Sequence, residues 1–302
     1  MKPFHKRLRD RAIDAVVRAL FWVGMRVPYP VRVRAMGWVG SRLFAPMAGY
    51  PRRIRENLAL VCPELPEAEV RRLMRAVPDN AVRTLVEIFS GAEFARVACT
   101  APIRGAEGLA AIEAAQAAGR PVILISGHFG NYDVARAVLA ARGLRVGGLY
   151  NPMSNLHFNA RYVAAIGAIS QPVFPRGRRG LAEMVRFLKG GGILGMLIDQ
   201  HMSHGAPLRF FGRTALTALS AAEMALKFDA LVVPVYGRRR ADGLSFELII
   251  EPPIPHSTPE AMTQALNDSL EAQVRAHLDQ WFWVHRRWKG KGGSGPTAAR
   301  TT

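Results

Sequence analysis

PVILISGHFGNYDVARAVLAARG, residues 121–143, decides the architecture of this chain. Its first part, residues 121–126, is a continuous apolar run of strand length. Its last part carries apolar residues at helical spacing and closes on Gly143. A strand apolar on both faces belongs inside a sheet that helices cover. Between strand and helix lies SGHFGNYD, which sets one histidine and one aspartate at the turn.

The same rhythm recurs further along. RVGGLY (145–150), GILGMLI (192–198), LVVPVY (231–236) and FELIIE (246–251) read as strands. DVARAVLAARG, GLAEMVRFLKGGG and TALSAAEMALKFDA read as the helices between them. Such alternation predicts an α/β fold, a mixed sheet flanked by helices. Residues 101–290 form this domain, and 259–283 are expected as its final helix. Residues 1–100 read as a mostly helical, membrane-associating region: an amphipathic start, the turn VPYP, then RRIRENLALV and PEAEVRRLMRAVPDNAVRTLVEIFSGA. Residues 291–302 read as a flexible tail.

At 302 residues and 49% hydrophobic, the chain can bury a substantial core. The net charge of +18 calls for an anionic partner. Zinc-finger spacing, aromatic RNA-binding motifs and basic heptad regions are all missing from the sequence, so the charge does not read as nucleic-acid binding. Cys62 and Cys99 fit no metal or redox spacing and suit a reducing cytosol. Asp14, Arg18, Arg26, Arg32, Arg34 and Arg42 interrupt the N-terminal apolar stretch too often for a spanning helix or a secretory signal. Ile13, Val16, Val17, Leu20 and Phe21 share one helical face, with Trp22 and Trp38 nearby. Such a helix can lie among lipid headgroups, or it can pack on its own domain.

His128 and Asp133 are the candidate catalytic pair. With a helix starting near Gly130 or Asn131, Asp133 sits in the first turn and His128 can fold back toward it. Asp133 would then orient the ring and leave the other nitrogen as a general base. The structural alternative is a capping Asp133 beside a polar loop histidine. G-x-S-x-G is absent although Ser126 is adjacent, and a base without a protein nucleophile suits direct attack by a substrate hydroxyl on an acyl group. Asp199 ends another apolar strand and is expected on the same rim as His128. His201 and His204 match no zinc pattern, and no metal is expected. Arg176, Arg178 and Arg179 precede a helix where an anion could sit, against the default of a solvated charge run. Arg209 and Arg213 flank an apolar Phe-Phe-Gly piece suited to a phosphorylated lipid. WFWVHRRWK (281–289) reads as a helix end packed on the domain with Arg286 and Arg287 at its C-terminus, the alternative being a nucleic-acid stacking surface.

Together these pieces resemble the late acyltransferases of bacterial lipid A biosynthesis, relatives of the glycerolphosphate acyltransferases. The resemblance spans nearly the whole chain. VPYP, RENL, His-x-x-x-x-Asp at 128–133, YNPMSN, IDQ…FFG and WVHRRWK arrive in the family's order. At Asn151 the chain departs from the family, which often carries Arg there, so no phosphate contact is assigned to that position. The resemblance implies a glycerolphosphate acyltransferase-like core, an acyl-acyl carrier protein donor and no cofactor. It also implies a phosphorylated glycolipid acceptor, a lipid A precursor, whose 3-hydroxyacyl hydroxyl becomes a secondary ester. Attachment would be to the cytoplasmic face of the inner membrane. Asn131, Tyr150, Asp199, Gln200 and Phe211, with Arg176, Arg178, Arg179, Arg209 and Arg213, are then the expected substrate contacts. The alternatives are acylation of a phosphatidylinositol mannoside or another lipid, a soluble hydrolase in which His128 activates water, and a non-catalytic basic protein binding membrane or nucleic acid.

Overall fold

The computed structural model describes residues 24, 26–153 and 155–289. The amphipathic face around residues 13–21 and the tail 291–302 lie outside the described residues.

The strands are β1 (Ile103–Arg104), β2 (Val122–Ser126), β3 (Val146–Tyr150), β4 (Val173–Pro175), β5 (Ile193–Leu197), β6 (Ala206–Phe210), β7 (Arg213–Thr217), β8 (Leu231–Arg239) and β9 (Phe246–Ile250). Seven of them form one sheet in the order β1-β9-β8-β2-β5-β3-β4. Its pairs are parallel except β8 with β9. β6 and β7 form a separate antiparallel hairpin. The fold is therefore the expected mixed sheet flanked by helices.

Helix α1 (Tyr29–Val39) leads into a π-helical turn (Gly40–Phe44). α2 (Tyr50–Val61), α3 (Glu67–Phe89), α4 (Ala92–Ala98) and α5 (Ala106–Ala117) follow before β2. Within the sheet region come α6 (Val134–Ala141), α7 (Leu156–Ile169), α8 (Arg178–Lys189), α9 (Ser220–Phe228) and α10 (Pro259–Ala276).

All five residues of β2 are buried, as its unbroken apolar run requires. Successive side chains point to opposite faces of the sheet. Val122 and Leu124 pack with residues of α4, α5 and α6, while Ile123 and Ile125 pack with α8, α9 and α10. A third core gathers Phe129, Phe210, Phe211, Trp281, Trp283 and Trp288 against α2 and α3.

Several elements escaped the sequence reading, helices α5 and α7 among them. β1 and β4 span two and three residues, too few to show a period of two. The β6–β7 hairpin turns on Phe211 and Gly212, whose φ values of 54° and 68° are those of a two-residue turn with both central residues left-handed. The expected final helix is corrected at its end: α10 stops at Ala276 rather than 283. The chain then returns to the sheet, where Trp281 bridges Phe129. Trp281 and Trp283 are fully buried, so the aromatic segment is core and not a helix end.

Candidate active site

Parallel pairing of β2 with β5 aligns Ser126 with Leu197, and the ladder continues as the Ile198 amide donates to the Ser126 carbonyl at 3.1 Å. Two residues beyond each strand stand His128 and Asp199. The His128 Nδ1 lies 2.8 Å from Asp199 Oδ1. The backbone amide of His128 donates to Oδ2 of the same carboxylate at 2.7 Å, and Trp281 Nε1 donates to it at 2.9 Å. Asp199 is fully buried, whereas the His128 side chain keeps 22% of its surface. With Nδ1 held by the carboxylate, Nε2 is left as the free ring nitrogen.

Burial opposes charge on His128. The Asp199 charge, with the hydrogen bond to it, outweighs that penalty and lifts His128 above the ordinary imidazole value. Burial would likewise raise Asp199. The charge and hydrogen bonds of His128, with a contribution from His285, overcome it and hold the carboxyl well below the usual carboxylate range. His285 stands edge-on to His128 with ring centroids 4.6 Å apart, and its Nε2 is buried without a partner. Burial, with a smaller push from His128 and Arg287, drives its pKa down to about 4 although Asp199 opposes this. His285 is therefore neutral at neutral pH. The Tyr132 ring closes another side of His128 at 5.5 Å.

Among the described residues, His128, Asp199 and His285 are the group whose donor atoms come close enough to share a metal ion, within 4.8 Å of one another. Asp199 already accepts three hydrogen bonds, however. This donor set suits proton transfer better than metal ligation.

The expectation that Asp133 orients His128 is corrected. Asp133 immediately precedes α6, and its carboxylate accepts from Arg136 Nη1 at 2.6 Å. The intervening turn carries it to the helix side, while the strand register brings Asp199 to the ring. Asn131 is corrected as a substrate contact too. It is fully buried, its Nδ2 donates to Glu87 at 2.9 Å, and its Oδ1 accepts from the Asp133 amide at 3.0 Å. Both ends of the amide are thus used internally.

A buried polar network backs this turn. Glu87, with no exposed surface, forms an ion pair with Arg239, and Thr84 Oγ1 donates to the Gly130 carbonyl at 2.8 Å. The Gly130 amide donates to the Gln280 carbonyl at 2.9 Å. Gly130 has φ 52°, and a Cβ there would lie 2.1 Å from the Gly237 carbonyl oxygen. Only glycine fits that close approach.

A family model described as bacterial lipid A biosynthesis acyltransferase matches residues 1–290. The chain belongs to this family. The acyltransferase is 24% identical over 281 residues to the lipid A biosynthesis lauroyltransferase of Escherichia coli K12, covering 89% of each chain. It is 25% identical over 272 residues to a phosphatidylinositol mannoside acyltransferase of Mycobacterium tuberculosis, covering 88% of this chain and 86% of the relative. It is also 24% identical over 220 residues to a lipid A biosynthesis acyltransferase of Haemophilus influenzae, covering 72% of this chain and 65% of the relative. An enzyme of acyl transfer in glycolipid synthesis follows, and the non-catalytic alternative falls.

The other expected contacts of the acyltransferase scatter. Tyr150 ends β3, half-buried, with its ring 6.3 Å from that of Tyr162. Arg176, Arg178 and Arg179 are exposed just beyond β4. That edge is three strands from β2, about 14 Å at the usual strand spacing. Arg179 pairs with Glu183 at 3.0 Å. Gln200 is exposed next to Asp199, and Arg209 is exposed on the hairpin. Phe211 is corrected as a substrate contact, because its ring is 4% exposed and packs on Trp283 and Trp288. Arg213 is half-buried and donates to the Leu60 carbonyl at the end of α2 at 2.7 Å, which makes it a structural tie. Arg287, expected at an exposed helix C-terminus, is instead fully buried and donates to the Leu216 carbonyl and to Thr217.

Sequence reasoning missed His285, Trp281, Glu87 and Arg239. His285 and Trp281 were inside a quoted segment whose only visible signal was its aromatic-basic composition. Glu87 and Arg239 are partners 152 positions apart, and neither carries a local signal.

Proposed function

We propose that His128 is the general base of acyl transfer from an acyl-acyl carrier protein to a hydroxyl of a 3-hydroxyacyl chain on a phosphorylated glycolipid, a lipid A precursor. The observation that carries this reading is the His128–Asp199 pair on the carboxyl rim of the sheet, with Nε2 free. Among the described residues, the His128 ring has no hydrogen bond to a serine, threonine or cysteine. Direct transfer therefore needs no acyl-enzyme. His128 Nε2 takes the acceptor proton while the acceptor oxygen bonds to the thioester carbonyl carbon. The tetrahedral intermediate expels the carrier thiolate, and the imidazolium returns the proton to sulfur. Asp199 stabilises the imidazolium between these steps.

The acidic carrier and the phosphorylated acceptor give the +18 charge a purpose. Arg176, Arg178 and Arg179 are the candidates for the acceptor phosphate, with Arg209 as runner-up. Tyr150 and Gln200 remain candidates for substrate contact. We place the enzyme on the cytoplasmic face of the inner membrane. Exposed Trp38, Leu43, Phe44 and Met47 support attachment to a lipid surface. Protease added outside sealed spheroplasts should leave the chain uncut, and cleavage there would overturn the placement.

The name of the mycobacterial relative favours a second acceptor, a phosphatidylinositol mannoside. The experiment supplies purified enzyme with a panel of acyl carrier protein thioesters and both acceptors, and reads the product by mass spectrometry. A secondary ester on the lipid A precursor is the expected result. Acylation of the mannoside alone would replace the acceptor, and release of free fatty acid without transfer would overturn the mechanism.

A further inference from the structure

A strongly basic groove stands apart from His128, which does not line it. It has a volume of about 1490 Å³ and opens between α1 with its π-helical turn, α3, and the turn joining β8 to β9. Ten arginines line it against four carboxylates. Six of the ten are already in ion pairs with carboxylates of the groove or just behind it. Arg34, Arg42, Arg75 and Arg240 are exposed and form no ion pair among the described residues, although the Arg240 charge helps hold the Asp242 carboxyl low. Arg34 donates only to the Asp242 carbonyl at 3.3 Å, and Arg42 lies 5.6 Å over the Trp38 ring.

An apolar ridge borders the same groove. Trp38 lines the cavity and is 54% exposed, and the run continues into Leu43, Phe44 and Met47. Arginines beside an exposed tryptophan ridge combine the two chemistries of a bilayer surface. Guanidinium forks take phosphate oxygens in pairs, and aromatic and apolar side chains enter the headgroup boundary. An acidic protein would match the charge and leave the ridge unexplained.

We propose that this groove seats the phosphate headgroups of anionic bilayer lipids while Trp38, Leu43, Phe44 and Met47 dip into the interface. The proposal rests on the reading of an enzyme working at a membrane surface. It adds a lipid-docking face separate from the acceptor site. The groove also abuts the catalytic turn, because Gln280 and Asn80 line it and the Gln280 carbonyl holds the Gly130 amide. Docking there would hold the His128 rim close to the lipid.

The test is co-sedimentation of the full chain with phosphatidylcholine vesicles, with and without phosphatidylglycerol. The quadruple variant R34Q/R42Q/R75Q/R240Q should lose binding to the anionic vesicles by a factor of about a hundred or more, from about fivefold for each arginine at an anionic surface. A control with the same net charge, R96Q/R145Q/R186Q/K189Q, should bind nearly as wild type. W38A/F44A should weaken binding to both vesicle types. Equal loss in the control overturns the groove in favour of diffuse charge. Full displacement from vesicles by millimolar inorganic phosphate overturns it in favour of a small-anion site. Unchanged vesicle binding with lost binding of acyl carrier protein overturns it in favour of a protein dock. Acyl transfer in detergent solution separates the two readings. The quadruple variant should keep it, whereas a wild-type enzyme inactive there with every donor and acceptor would strike the functional reading and leave the vesicle result standing.

Discussion

His128 and Asp199, 71 positions apart, occupy the same register two residues beyond paired ends of the parallel strands β2 and β5, and their side chains meet at 2.8 Å. The sheet itself thus delivers the pair, and each residue needs only a short turn to reach the rim. Such a carboxylate fixes the tautomer of the ring as well as its angle.

Substitution at the two aspartates should therefore separate their roles. His128→Ala should lose transfer by about 10²–10⁴-fold with the fold intact. In Asp199→Asn the amide can donate to Nδ1, which puts the ring proton on Nε2 and removes the base. A fall in kcat on the order of 10³–10⁴-fold is expected. Asp133→Asn should read out chiefly in thermal stability, through its contact with Arg136. A larger kcat loss for Asp133→Asn than for Asp199→Asn would return Asp133 to the role of ring partner.

The pH dependence follows from the direction of the His128 shift. The base must be neutral, and its pKa is raised, so kcat/KM should climb with pH through a midpoint above about 6.5. Removing the Asp199 charge leaves only burial, which favours the neutral ring. NMR titration of His128 should accordingly move to lower pH in Asp199→Asn. Movement the other way would mean that Asp199 is not what raises it.

His285 should make folding sensitive to mild acid. Its pKa is about 4 in the fold and about 6.5 when unfolded. The unfolded chain takes the proton first as pH falls. The stability tied to a neutral His285 is therefore complete above pH 6.5 and drains away between about 6.5 and 4. Chemical denaturation across that window should show a shallower loss for His285→Asn than for wild type. Identical slopes would place His285 in a wetter setting than its burial implies.

The Glu87–Arg239 pair is buried on both sides, so breaking it leaves an uncompensated charge. Glu87→Gln should cost about 3–5 kcal/mol of folding free energy. Asn131 also loses a charged partner, so activity should fall with stability. Pairing Glu87→Leu with Arg239→Met should recover much of the stability but less of the activity, because the Asn131 amide still lacks its acceptor. A single variant as stable as wild type would show that the pair holds nothing together.

The sequence by itself determined β2, β3, β5, β8 and β9, the helices α6, α8 and α9, the α/β class and the histidine of the site. Each of these is written locally: a run apolar on both faces, a helical period, a turn with glycines where a strand ends. It also marked Asp199 as a strand-end carboxylate, though not as the partner of His128. Only the tertiary structure decided that pairing, because it depends on which strands are neighbours, and β2 lies beside β5 rather than β3. The buried roles of Phe211, Trp281 and Arg287 were settled the same way. Their environment is made by β6, β7 and the segment after α10 converging on one another, and no window of adjacent residues contains that contact. Spacing along one chain segment limits what a side chain can reach locally, whereas register between segments selects which distant group it meets.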